Sequence, residues 1–437
     1  MKLFISALLV GILMSLYFFP IELTLLPGIN SKMMLAVLGL FLGAFSLHRK
    51  GRIEIPVQLL VLVIISGMVS AASLLSVTIN QTPDFTYASY LMSACVWLSG
   101  SYAVCSFIKM AHGRISVQLV MSYLAVVCMF QCLSALLVDS YSGLKNFLNA
   151  HIYFGQDVSE AASRLYGFGS TLDVAGGRFS VVLIGIAFYL AGFTALEGKI
   201  GRGFYALAFI WISVVGNMIA RTTMVGTSIG LVLLIIGMLS GRGNLREHAS
   251  FNGWLLMLLL LVIAVSVFLY NTNDSAHKLF RFAFEGFFNL AEKGEWKVSS
   301  NEKLKTMIIF PEHLHTWIIG DGYFENSRND VNYLGNSTKM GFYMGTDIGY
   351  LRFIFYFGII GLIPMVGMIL YSAKVCIQSF PAEKWLFLSA LLAGLVIWLK
   401  VSTDVFMFFS LFLSTAALTT PVSRTGGVIR HLHAIYR

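Results

Sequence analysis

Charge is scarce: Asp, Glu, Lys and Arg make up 12% of the 437 residues, against 57% hydrophobic residues and a mean hydropathy of +0.79. Soluble domains carry about 25% charged residues, so this scarcity excludes an ordinary soluble globular protein. What remains is a polytopic, all-α membrane protein, with length for about a dozen spans of roughly 20 residues each. Cysteine is also rare. Cys95, Cys105, Cys128, Cys132 and Cys376 lie in or beside apolar runs, which excludes a disulfide framework in the hydrophilic segments. Cys128 and Cys132 share a helix face and read as small core residues. No Gly-x-x-x-x-Gly-Lys phosphate loop and no His-Glu-x-x-His pair occurs. No fixed-period repeat, low-complexity tract or Pro- or Ser-rich linker divides the chain, so residues 1–437 read as a single helical domain.

Apolar runs fall at Leu3 to Phe19, Met33 to Leu47, Val57 to Val77, Tyr87 to Phe107, Val117 to Val138 and Phe179 to Leu196. Six more follow at Phe204 to Ala220, Met224 to Leu239, Trp254 to Tyr270, Ile348 to Tyr371, Trp385 to Leu399 and Val405 to Leu418. The first run follows Met1-Lys2 and has no small-x-small cleavage site, so it reads as an uncleaved helix.

Orientation follows from the short loops. One alternating set carries Lys2, Arg49, Lys50, Arg52, Lys109, Arg114, Lys199, Arg202, Arg242, Arg246, Lys374, Lys384, Arg424, Arg430 and Arg437. The opposite connections offer Lys32, Arg221 and Lys400. The rich set is expected in the cytoplasm, with both termini, and twelve spans satisfy that parity. Two long segments, 139–178 and 271–347, then fall outside; loop length exempts them from the charge count. A net charge of +9 therefore reports orientation and contact with membrane lipids, and nucleic acid is not expected as a partner.

Ionisable residues concentrate in the second long segment, between Asn271 and Arg352. Within it, Phe280, Phe284, Phe287 and Phe288 recur near helical spacing between charges, predicting an amphipathic helix over Ala276 to Ala291 at the membrane interface or capping the bundle.

Three constellations suit chemistry. Arg164, Gly167, Gly169, Asp173, Gly176, Gly177 and Arg178 close the first long segment; glycines admit a ligand close to the backbone, and arginine forks match phosphate oxygens. The bland reading is a membrane-entry loop whose arginines meet lipid headgroups. Arg221-Thr222-Thr223 forms a minimal polar turn between two apolar runs, where a cation is costly without a partner; a pyrophosphate would be one, and snorkelling is the alternative. Asp347 precedes an apolar run holding Arg352, and is equally readable as a helix cap or a general base. Glu312, His313 and His315 supply no third metal ligand by spacing and read as solvated loop residues.

In order, Arg164-x-x-Gly167, Arg221-Thr222, Gly320-x-Gly322, Asp347-x-Gly349-Tyr350-x-Arg352 and Phe357-Gly358-Ile359-Ile360-Gly361 resemble the O-antigen polymerase and O-antigen ligase family of bacterial envelopes. The resemblance covers Arg164 to about Gly361 and the span count. It implies a multi-spanning glycosyltransferase in the inner membrane, working beneath a large periplasmic loop between spans 9 and 10, with neither cofactor nor metal. Its donor would be a glycan on undecaprenyl pyrophosphate, and its acceptor another lipid-linked repeat unit; a chain-length regulator and a flippase would be partners. By the same resemblance Arg164 and Arg221 hold the pyrophosphate, Asp347 is the base, and Arg178, Thr222, Thr223, Tyr350, Arg352 and Asp173 contact substrate. Thr346-Asp347 stands where ligases of the family carry His-Asn, and Leu172-Asp173 where Pro-Asn is usual. The first departure favours polymerase over ligase. A transporter or flippase would show ionisable residues at mid-span, and the runs hold almost none.

Overall fold

The computed structural model describes residues 2–50, 57–161, 164–196, 201–240, 260, 263–326 and 341–419. The chain is mostly helical. The first half contains α1 (Lys2–Phe18), α2 (Ser31–Lys50), α3 (Val57–Asn80), α4 (Tyr90–His112) and α5 (Val117–Ser140), then two short helices, α6 (Ser142–His151) and α7 (Gln156–Ala161). Next come α8 (Leu172–Leu190), α9 (Arg202–Ile219), α10 (Thr223–Leu239) and α11 (Ile263–Thr272). The large hydrophilic segment holds α12 (Asp274–Ala283), α13 (Glu285–Lys293), α14 (Ser299–Lys305) and α15 (Leu314–Ile318), and the chain closes through α16 (Gly349–Ser379), α17 (Lys384–Ile397) and α18 (Phe406–Thr419). A ribbon of β1 (Glu22–Leu23) with β2 (Ile152–Tyr153) pairs antiparallel, Glu22 opposite Tyr153.

Among the described residues six helices, α3, α4, α5, α8, α9 and α16, are long and apolar enough to cross a membrane, and α1, α2, α10, α11 and α18 are shorter apolar helices. Their outward faces are greasy: Met33, Val37, Leu40 and Phe41 on α2 and Leu60, Ile64 and Met68 on α3 are exposed. Water would penalise such a surface, whereas hydrocarbon accepts it, and a helix leaves no backbone group unpaired there. The core centres on α8, buried along Phe179 to Tyr189 and packed by α5, α9, α10 and α17.

α16 does not run through unbroken. Gly358 adopts φ 63°, releasing backbone groups of the preceding turn. The strand of chain after α15 takes them up: the Asp321 N–H donates to Phe355 O at 2.6 Å and the Gly322 N–H to Tyr356 O at 3.1 Å. Ser76 Oγ on α3 donates to Tyr356 O at 2.7 Å as well. The approach is backbone on backbone. A Cβ on Gly358 would overlap the Ile318 carbonyl, and one on Gly320 (φ 84°) would lie 2.6 Å from Tyr356 O. The sequence motifs around Gly320 and Gly358 are thus the two halves of one contact.

Several connections meet at one end of the bundle. The α1–α2 link pairs with β2, Thr24 N–H donating to His151 O at 3.0 Å. Asp84, between α3 and α4, accepts from the Phe324 N–H at 2.7 Å. The α17–α18 turn meets α8 and the start of α16 through Lys400 and Ser402.

Four expectations shift. α8 begins at Leu172, not Phe179, so Arg178 lies inside a helix and residues 139–178 are largely folded into α6, β2 and α7. The amphipathic helix over 276–291 is two helices, broken at Phe284 (φ −119°). Ile348 occupies the cap position of α16, one residue past Asp347, so the capping role falls away. His315 lies in the first turn of α15, and its Nε2 bonds Asn80 Oδ1 at 2.9 Å. The start of the Trp254 to Tyr270 run, and Arg52, Lys199, Arg242, Arg246, Arg424, Arg430 and Arg437, lie outside the described residues.

Candidate functional site

Arg164 and Arg221, far apart in sequence, stack on the same ring. The guanidinium of Arg221 lies 4.1 Å and that of Arg164 5.0 Å from the centroid of Phe282, near the end of α12. Two clefts flank this partition. One, of about 250 Å³, is lined by Arg164, Asp139, Lys145, Tyr166 and Leu279; the other, of about 270 Å³, by Arg221, Phe282, Glu285, Phe288 and Asn289. The α9–α10 turn is too short to carry Arg221 away from the bundle, and the large segment folds onto it instead. Arg221 Nη1 pairs with Glu285 at 2.8 Å and donates to Ser299 Oγ and Ser300 Oγ, each at 3.2 Å, while Nε donates to Phe282 O at 2.9 Å. Phosphate oxygens suit the same donors, so Glu285 stands where an anionic ligand would.

Beside the arginines, Asp173 in the first turn of α8 accepts from Thr222 Oγ1. Lys400 Nζ lies 3.2 Å from both Asp173 Oδ1 and Thr222 Oγ1. Three elements are thereby tied at one polar knot. Asp347 lies close enough to interact with Asp173, Lys400 and Lys303. Burial pushes its carboxyl up to about 6; nearby Asp173 adds to the rise, and Arg352, Lys400 and Lys303 oppose it. A carboxylate so poised is shared between its charged and neutral forms near neutral pH, which suits proton transfer.

The remaining sequence candidates lie around or away from this knot. Arg352 is 6% exposed, lies between the rings of Phe324 (3.6 Å) and Phe342 (4.0 Å), and donates to Ser402 Oγ at 3.0 Å and Phe324 O at 3.3 Å. Asp347 is 3.7 Å from its Nη1. Arg352 thus positions Asp347 and the α17–α18 turn from below. Tyr350 donates to Leu395 O at 3.0 Å, and Thr223 Oγ1 to Gly216 O at 3.1 Å. Arg178 points elsewhere, its guanidinium 5.5 Å from the centroid of Phe19.

Three participants escaped the sequence reading: Phe282, Glu285 and Lys400. Lys400 did appear among the sparse outer cations, but a lone lysine in a short turn looks like a snorkelling one. A further string, Gly226-Thr227-Ser228-Ile229-Gly230, matches the Gly-x-Ser-x-Gly of hydrolase elbows in letters only. It lies inside α10 rather than at a strand-to-helix turn, with Gly226 packed against the backbone of Ser180. Among the described residues no group of three His, Cys, Asp or Glu side chains is placed to hold a metal ion.

No protein-family model matches the chain, and no curated protein matches it.

Proposed function

We propose that the chain is a polymerase of bacterial surface polysaccharide, joining undecaprenyl-pyrophosphate-linked repeat units at the periplasmic face of the inner membrane. In this reading α1–α5, α8–α11 and α16–α18 are twelve crossings, both termini are cytoplasmic, and α12–α15 form the periplasmic cover. The observation that carries it is the meeting of Arg164 and Arg221 on Phe282, with the Asp173–Lys400 pair and the raised Asp347 carboxyl close by.

The chemistry follows from charge. The acceptor hydroxyl attacks the anomeric carbon of the donor sugar, and Asp347 takes its proton. The bond between that carbon and the pyrophosphate oxygen breaks, and the electron pair leaves with the lipid pyrophosphate. Arg221 and Arg164 stabilise the charge that develops there, Arg221 exchanging the Glu285 carboxylate for phosphate oxygens. Lys400 keeps Asp173 paired and the α8 end fixed, so the two carboxylates need not share one proton.

Gene deletion tests the class. Single repeat units on the lipid A core are expected; long unattached chains would instead identify a ligase. Arg221→Ala at normal membrane abundance should give the single-unit phenotype, and a full polymer ladder from it would remove the pyrophosphate role.

A further inference from the structure

Three cations at the Arg221 end of the bundle have a carboxylate partner: Arg221 has Glu285, Lys400 has Asp173 and Arg352 has Asp347. Among the described residues, Arg178 on another face of α8 and Lys32 on α2 have none. Arg178 lies five residues after Asp173, about 7.5 Å further along the helix and roughly 140° around it. Its guanidinium meets the face of Phe19, at 5.5 Å. Lys32, at the start of α2, meets the ring of Trp97 at 5.0 Å. The two are close enough to repel each other.

Among the described residues neither side chain makes a hydrogen bond or an ion pair. Asp404, the carboxylate within electrostatic reach of Lys32, is already occupied, accepting from Tyr90 Oη at 2.8 Å and from the Phe406 N–H at 2.6 Å. The Trp97 indole N–H is buried with no acceptor. Tyr17, beside both, spends its hydroxyl on Trp97 O at 2.8 Å and Ser410 Oγ at 2.6 Å. The neighbourhood therefore holds two like charges and an indole donor in want of an acceptor. Both cations are half-buried, so each keeps a face open to an incoming group. An unpaired cation in an apolar bundle is costly, and a buried donor without an acceptor adds to the cost.

We propose that Lys32, Arg178 and the Trp97 N–H form a second anion site, which binds a phosphate or diphosphate group within the bundle. The chemistry is that of an arginine fork and a lysine point charge converging on phosphate oxygens, with an indole N–H as the neutral donor. The site differs from the Arg164–Arg221 pair in face, elements and occupancy, and it goes beyond the proposed reaction because it concerns binding by the resting protein. A lipid headgroup and a free anion share this chemistry.

The test is pyrophosphate binding by the full chain in detergent, measured calorimetrically in an Arg164→Ala/Arg221→Ala background so that the outer arginines contribute nothing. Arg178→Gln and Lys32→Gln should each weaken binding by about ten- to hundredfold. The same changes should leave unaltered or raise the melting temperature of the ligand-free protein, because each removes an unpaired, repelled charge. Arg178→Lys, which retains charge, should bind within a few-fold of the parent, and Trp97→Phe should weaken binding while retaining the ring. Unchanged affinity in both glutamine variants would overturn the proposal, as would a marked fall in ligand-free melting temperature, which would make the cations structural. In nanodiscs, polyprenyl diphosphate displacing pyrophosphate assigns the site to a lipid carrier, and absence of displacement assigns it to a free anion. Either result is independent of polymer formation, so failure here leaves the reaction proposed above untouched.

Discussion

Asp347 is the residue at which stability and chemistry oppose each other most directly. Its carboxyl sits near 6, above the ordinary 3.8, because burial disfavours the charged form more than Arg352, Lys400 and Lys303 restore it. The native state therefore binds more protons than the unfolded chain between those two values, and stability is lost as pH rises through that window. At neutral pH the ionised carboxylate is a cost that the fold carries. If Asp347 is the base, polymer formation should fall about tenfold per pH unit below about 6. Asp347→Asn should lower turnover about a hundred- to ten-thousandfold and abolish that acid limb, without lowering the melting temperature. In vitro extension of a lipid-linked repeat unit across pH, beside thermal unfolding of both proteins, checks this. A wild-type rate in the asparagine variant would leave Asp347 a structural partner of Arg352. The sequence showed Arg164, Arg221 and Asp347 because cations and carboxylates are conspicuous beside apolar runs. It hid Lys400, Glu285 and Phe282, whose roles depend on partners some 60 to 230 positions away, as in the 227-residue separation of Lys400 from Asp173.

At the scale of elements, hydropathy located the apolar helices but not their ends. The first turns of α8 read Leu172-Asp173-Val174-Ala175-Gly176-Gly177-Arg178, two glycines and two charges that look like loop. They are helical because Gly176 packs against Ala220 and Thr222 at the α9–α10 turn, a tertiary cause invisible in local composition. The break at Phe284 escaped for the related reason that phenylalanines at helical spacing look alike on one helix or two. The break in α16 was signalled by glycine, though its partner was not. Gly358→Ala should cost on the order of 1–3 kcal/mol through left-handed strain alone, with the clash against Ile318 adding to it. Lower detergent-solubilised yield and a reduced melting temperature are expected. An unchanged melting temperature would mean that the segment after α15 does not dock into the break.

For the whole molecule, scarcity of charge announced a membrane protein, and the helices long enough to cross one agree with it. Parity of basic loops went further, assigning Lys32, Arg221 and Lys400 to one side of a bilayer before any contact was known. In the folded chain the connections bearing these residues are joined at one end of the bundle, Arg221 to α13 and α14, and Lys400 to α8. That convergence makes orientation testable with single cysteines. In a Cys95→Ala background, which removes the exposed native thiol, Glu295→Cys reports the segment between α13 and α14, and Arg114→Cys the turn between α4 and α5. With the outer membrane permeabilised, an impermeant maleimide should label Glu295→Cys directly and Arg114→Cys only after the inner membrane is opened. The reverse pattern would place the Arg164–Arg221 site in the cytoplasm, away from glycans already carried across the membrane, and the proposed polymerase would fail on topology whatever its residues could do.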